Sequence, residues 1–237
     1  MDGKMWKERV RAYQGKEQQE KRLEREFFTR DGITVAKELL GKILVHETPL
    51  GTIRGFITEV ESYMGVEDKG SHTYGGRRTE RTEPMFRIGG TSYVYFTYGM
   101  YHCMNISSEQ AEIPQAVLLR SVVPADRESE ERMLALRMEI QLQKSRKRKE
   151  AKGEVLTEAE VLRMEKNTRK HLADGPGKLC IAMGITKAEN AVDMVGSDVF
   201  YVTEGITVSS EEIRAGKRIG IDYAEEAADY LWRFYLE

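Results

Sequence analysis

Residues 52–63, T-I-R-G-F-I-T-E-V-E-S-Y, decide how this chain is read. Alternate residues of a strand share a face. Ile53, Gly55, Ile57, Glu59, Glu61 and Tyr63 therefore form one row, which begins apolar and ends in two acids and a phenol. Buried charge is costly unless paired, so such a strand is expected to deliver its last side chains into a cleft. A Gly-rich loop with His72 follows, which brings carboxylate, phenol and imidazole together as a candidate acid/base constellation. The same residues also suit a strand end with surface carboxylates and a solvated histidine.

Upstream, Val35, Leu39 and Leu40 have helical spacing, and Gly41 is placed to end that helix. Residues 43–46 then read as a strand, and Thr48-Pro49-Leu50-Gly51 as the turn of an antiparallel hairpin whose second strand is 52–61. Downstream, residues 64–90 form a long loop with seven glycines or prolines and four arginines, Arg77, Arg78, Arg81 and Arg87. Guanidinium groups match phosphate oxygens, and they equally suit a polar surface loop. Residues 91–98, T-S-Y-V-Y-F-T-Y, are a strand by composition, with a turn at Tyr98-Gly99 and a partner strand at 100–107. A further strand, 115–123, ends at Pro124 and holds Arg120 in an apolar run, where it must find a carboxylate, another anion or solvent.

Residues 125–171 turn to Glu, Lys, Arg, Met and Leu, a helical composition. Met133, Leu134, Leu136, Arg137 and Ile140 leave one stripe that can dock, and 144–152 holds six cations against one acid. After Gly153, Thr157 and Glu160 predict a capping box opening a second helix to about His171. Residues 174–179, D-G-P-G-K-L, predict a sharp turn before a short helix at 179–183, and the start of a helix attracts phosphate. Short strands are expected at 199–202, 206–208 and 218–221, and a short helix at 224–230. Residues 1–26 read as a charged arm or helix.

The 237 residues suit a single mixed α+β domain of short antiparallel strands and helices. Lys+Arg 37 against Asp+Glu 39 leaves a net charge of −2, so only a local basic patch could engage nucleic acid. Cys103 and Cys180 cannot make a disulfide framework and lack metal-ligand spacing. With no apolar run of membrane length and no secretory signal, the expectation is a soluble cytoplasmic protein.

Several separated stretches carry a more specific message. T-E-V-E-S-Y at 58–63, Ser71-His72, G-G-R-R-T-E-R-T-E-P-M-F at 75–86, Y-V-Y-F-T-Y-G-M-Y-H-C-M-N-I-S at 93–107, V-L-L-R at 117–120, G-P-G-K-L-C at 175–180, R-I-G-I at 218–221 and R-F-Y at 233–235 together resemble the alkyladenine (3-methyladenine) DNA glycosylase family, from about residue 27 to the end. The resemblance implies a curved antiparallel sheet surrounded by helices, with a β-hairpin inserted into DNA. It implies a monomeric, monofunctional base-excision enzyme without lyase activity, metal or other cofactor, acting on double-stranded DNA with damaged purines and nucleoid-associated in a prokaryote. Glu61 would activate the attacking water, with Arg120 nearby. Tyr63, His72 and Tyr95 would sandwich the flipped base over Asn105, and Tyr98 would fill the gap in the duplex. Arg77, Arg81 and Lys178 would touch the DNA backbone. The helical, basic segment 125–174 is longer than the family's usual connection, and Arg87-Ile88-Gly89-Gly90 stands where a proline-containing turn is common. Two other classes fit parts of the sequence: a catalytically weak damage-recognition protein on the same fold, and a metal hydrolase using His72, His102 and the acids, which lacks the usual histidine spacing.

Overall fold

The hairpin forms as the sequence requires. In this computed structural model, which describes residues 5–13, 21–97 and 99–237, β1 (Ile43–Thr48) pairs with β2 (Gly51–Tyr63) across Pro49-Leu50. The Thr48 hydroxyl donates to the Gly51 carbonyl at 2.7 Å. Gly51 has φ +103°, which only glycine adopts without strain. The remaining strands are β3 (Ser92–Thr97), β4 (Tyr101–Ser108), β5 (Gln115–Pro124), β6 (Phe200–Thr203), β7 (Ile213–Gly216) and β8 (Arg233–Leu236). All eight join one antiparallel sheet in the order β3-β4-β5-β2-β1-β6, with β8 beside the C-terminal half of β2 and β7 beyond it. The helices are α1 (Met5–Tyr13), α2 (Arg25–Phe28), α3 (Gly32–Leu39), α4 (Arg127–Glu150), α5 (Glu158–Lys170) and α6 (Pro176–Met183). The expected single mixed α+β domain is what the chain forms.

Two irregularities in the central strand pair decide where the site lies. Ile57 pairs with Val122, but Glu59 pairs with Ser121 and Val60 with Leu119. Thr58 is thus an extra residue on β2, and Arg120 an extra residue on β5. A bulge puts an unpaired residue into the ladder and re-aims those around it. Because Val122 and Ser121 point to opposite faces, so do Ile57 and Glu59. The expectation that Ile53 and Ile57 share a face with Glu59, Glu61 and Tyr63 is therefore corrected. Ile53, Ile57, Val60 and Ser62 are fully buried on one face. Glu59, Glu61 and Tyr63 are turned to the other.

The first face carries the main core. A Cβ on Gly32 of α3 would lie 2.9 Å from Ser62 Oγ, and one on Gly55 would lie 3.3 Å from Met133 of α4, so both helices press closely on the sheet. Leu179, Cys180, Ala182 and Met183 of α6 join the same cluster. Asp31 caps α3 by accepting from the N–H groups of Ile33 and Thr34. The predicted capping box at Thr157 and Glu160 is present at the start of α5. In α1, Trp6 and Val10 are buried, and the Trp6 indole donates to the Glu237 carbonyl at 2.8 Å.

Four local expectations fail. Residues 206–208 and 218–221 are irregular, because their backbone groups are used elsewhere: Ile206 N–H bonds the Gly41 carbonyl, and Ile219 N–H bonds a side chain. The expected helix at 224–230 is a 3₁₀ turn, Glu225–Asp229. Helix α6 begins at Pro176, three residues before its expected start, since proline suits the first helical turn.

Candidate active site

One row of paired residues crosses five strands on the second face: Tyr93, Asn105, Leu118, Glu61 and Arg233. Tyr95 and Cys103 are paired one step along. A cavity of about 250 Å³ sits on this row, lined by Tyr63, His72, Tyr95, Cys103, Asn105 and Arg120 among others. Tyr63 on β2 and Tyr95 on β3 are separated by β4 and β5, three strand spacings or roughly 14 Å. The floor between them is Asn105 and Leu118.

Glu61 is completely buried. Its Oε1 accepts from the Ile219 backbone N–H at 2.8 Å and lies 3.2 Å from an Arg120 nitrogen. Its Oε2 accepts from the Tyr63 hydroxyl at 3.0 Å. Arg120 Nε also donates to Glu59 at 2.8 Å, so the arginine expected to need a carboxylate has two. Arg233 lies 3.6 Å from the same Glu59 oxygen. Burial raises the Glu61 pKa, and the Glu59 charge adds a little; Arg120, the Ile219 N–H and the Tyr63 hydroxyl oppose it, but the net shift is upward. A carboxylate that holds its proton more tightly than usual is a better base near neutral pH.

His72 Nδ1 lies 2.9 Å from the Tyr93 hydroxyl, and its ring meets Tyr95 edge-to-face at 4.7 Å between centroids. These two rings touch each other, so no base can enter between them. They form one wall of the cavity, and Tyr63 belongs to another element. Burial, with the Arg81 and Arg77 charges, lowers the His72 pKa to about 4, so the imidazole is neutral at physiological pH. The unfolded chain takes up this proton first, near its ordinary 6.5. Stability is therefore full above about pH 6.5 and declines as pH falls towards 4. Thermal melts of His72→Gln should show a shallower decline over that window than the wild type; equal slopes would contradict this environment.

Asn105 Nδ2 donates to the Tyr93 carbonyl at 3.0 Å, which fixes the amide on the floor. The Arg81 guanidinium lies over the Tyr95 ring at 4.8 Å, Arg77 is exposed, and Lys178 Nζ bonds Asp174 at 2.8 Å. Arg78 is engaged with Glu83 and Glu112. Tyr98 lies outside the described residues. Its neighbours at the β3–β4 turn are Gly99, with φ +65°, and the exposed Phe96 and Met100.

Sequence reasoning missed the framework behind Glu61. Arg218 is buried with Asp68, bonding its two oxygens at 2.5 and 2.7 Å. It also donates to the Ser62 and Ala227 carbonyls and lies over Tyr63 and Trp232 at 4.7 and 4.9 Å. This ties the loop 64–90 and the segment 217–223 to β2, and it places Ile219 N–H on Glu61. The charged residue opening R-I-G-I was the available signal. Reading that segment as a strand concealed a free backbone donor. Among the described residues, no three of His, Cys, Asp and Glu gather as a metal group. No helix among them is long and apolar enough to cross a membrane.

One buried carboxylate beside a base-sized aromatic cavity is the equipment of an enzyme that excises bases by hydrolysis. Residues 26–237 match the family described as methylpurine-DNA glycosylase (MPG). The chain belongs to that family of monofunctional DNA glycosylases. It is 45% identical over 216 residues to a Clostridium acetobutylicum protein named "Putative 3-methyladenine DNA glycosylase", covering 91% of this chain and 94% of the relative. A protein of the same name from Desulfitobacterium hafniense is 43% identical over 217 residues, covering 92% and 96%.

Proposed function

We propose that this enzyme flips damaged purines out of duplex DNA and hydrolyses the bond between base and deoxyribose with a water activated by Glu61. The observation that carries this reading is the fully buried Glu61, held by Tyr63, Arg120 and the Ile219 N–H at the edge of the aromatic cavity. Water oxygen bonds to the sugar C1′, the C1′–N bond breaks with its electron pair leaving on the base, and the water proton passes to Glu61. Positive charge develops on the sugar, which the carboxylate also stabilises. Arg120 holds that carboxylate in place and faces the abasic-side phosphate.

Extrusion costs a few kcal/mol. Stacking on Tyr63 and on the His72–Tyr95 wall offsets it at roughly 1–3 kcal/mol per base. Tyr98, on the β3–β4 turn, fills the vacated stack as a wedge. The fixed amide of Asn105 stands where a guanine amino group would enter. Arg77, Arg81 and Lys178 engage the DNA backbone; Lys178 exchanges its Asp174 contact to do so. The substrates are alkylated purines such as 3-methyladenine, with hypoxanthine and ethenoadenine as neutral candidates that need more help in departure.

The test is single-turnover incubation, in chelator, with duplexes carrying 3-methyladenine, hypoxanthine or ethenoadenine. The expected products are free base and an abasic strand that stays intact until alkali is added. Lesion binding without base release would favour the damage-recognition protein instead. Strand cleavage without alkali would contradict water attack.

A further inference from the structure

Helix α4 carries a buried cation that the proposed chemistry does not use. Arg137 is 7% exposed, yet it has no hydrogen bond or ion pair among the described residues. Arg137 lines a second cavity, of about 500 Å³, between α4, the N-terminus of α6 and the start of β4. The nearest acid is Asp174, which is already bonded to Lys178 and His171. Burial disfavours the charge on Arg137, and an isolated buried charge is costly.

The rest of the cavity is suited to an anion. The first helical bond of α6 runs from Leu179 N–H to the Gly175 carbonyl at 2.8 Å, so the Gly177 and Lys178 N–H groups precede the ladder and lack helical partners. No side chain caps this end. Gly177 is required there, because a Cβ would lie 3.0 Å from the Tyr101 side chain. Lys144 Nζ lies 5.6 Å from the centre of the same Tyr101 ring. Beyond it, Arg146, Lys147 and Arg148 are exposed and have no ion pair among the described residues. Pro176 lines both this cavity and the one beside Glu61, so the two adjoin across the start of α6.

We propose that this cleft seats a DNA backbone phosphodiester close to the excised nucleotide, held by Arg137, Lys144 and the free N–H groups of α6. The deoxyribose lies against Tyr101 and Pro176. The proposal rests on the glycosylase reading for its ligand, but its site is separate from Glu61. It gives the long helical segment a role: α4 brings Arg137 and Lys144 to the DNA.

The test measures binding to undamaged and lesion duplexes against salt concentration for wild type, Arg137→Met and Lys144→Glu. Each neutralised phosphate contributes about −0.9 to the slope of log K against log salt. Each variant should flatten the slope by about one and weaken both duplexes roughly tenfold at low salt. Lys144 is exposed, so its variant reports even where Arg137→Met fails to fold. Methylphosphonate linkages placed singly near the lesion should include one at which the penalty of Lys144→Glu disappears. Unchanged slopes in the folded variants, or no such linkage, would overturn the phosphate seat while leaving base release intact. A wild type that binds with the expected slope but releases no base would instead overturn the glycosylase reading alone.

Discussion

Glu61→Gln is expected to lower single-turnover base release by about 10²–10⁴-fold, the range for losing a general base. It should leave binding to lesion duplex within a fewfold of wild type. The amide is isosteric: its oxygen can still accept from the Ile219 N–H, and its NH2 can donate to the Tyr63 hydroxyl oxygen, which now donates to the carboxylate. What it cannot do is take the proton of water. The same group is expected to set the acid side of the pH profile. Because the Glu61 pKa is raised, base release should fall as pH drops through a value above the ordinary 4.5, and the variant's residual activity should lack that limb. A Glu61→Gln enzyme that turns over at the wild-type rate would mean that another group activates the water.

Arg218→Met is expected to cost about 3–5 kcal/mol of stability, the usual penalty for leaving one member of a buried ion pair alone. Asp68 is fully enclosed and would be left without its partner. It accepts as well from the N–H groups of Met64 and Gly70, so the loop after β2 would lose its organising centre. Urea denaturation would measure the loss. A deficit under about 1 kcal/mol would show that water reaches Asp68. Pairing the change with Asp68→Leu should recover part of the stability, since the uncompensated charge is then absent. Neither variant should regain full activity, because Arg218 also positions the segment that places Ile219 N–H on Glu61.

The residues that line or adjoin the cavity were legible where they lie on regular strands. Tyr93, Tyr95, Asn105 and Arg120 stand in strands that composition alone predicts, and their pairing follows from hairpin register. Arg120 could be read as needing a carboxylate, because an apolar run offers it nothing else. The facing of β2 could not be read. A bulge leaves no mark in side-chain alternation when both faces of a strand are buried, as at Phe56, Ile57 and Val60. The Ile219 contact was hidden for another reason: a backbone donor has no sequence signature. Arg137 looked like one more residue of a docking stripe, and only its enclosure and lack of a partner set it apart. The mutual contact of His72 and Tyr95 depends on the path of a long loop, which local propensity does not determine.

The paired bulges at Thr58 and Arg120 also divide β2 into two phases, one serving the hydrophobic interior and one serving the cavity. Deleting Thr58 alone would leave Ile57 and Glu59 on opposite faces, as they are now, so Glu61 would stay turned to the cavity while Arg120 remained the one insertion in the ladder. Deleting Thr58 together with Arg120 would mend the ladder completely and leave two regular strands. Regularity would return in the second case, but Glu59 and Glu61 would face the cavity without the guanidinium that now joins them. In this pair of strands the interruption of the sheet and the ion pair have one origin: the residue that β5 has in excess is the one that holds both carboxylates.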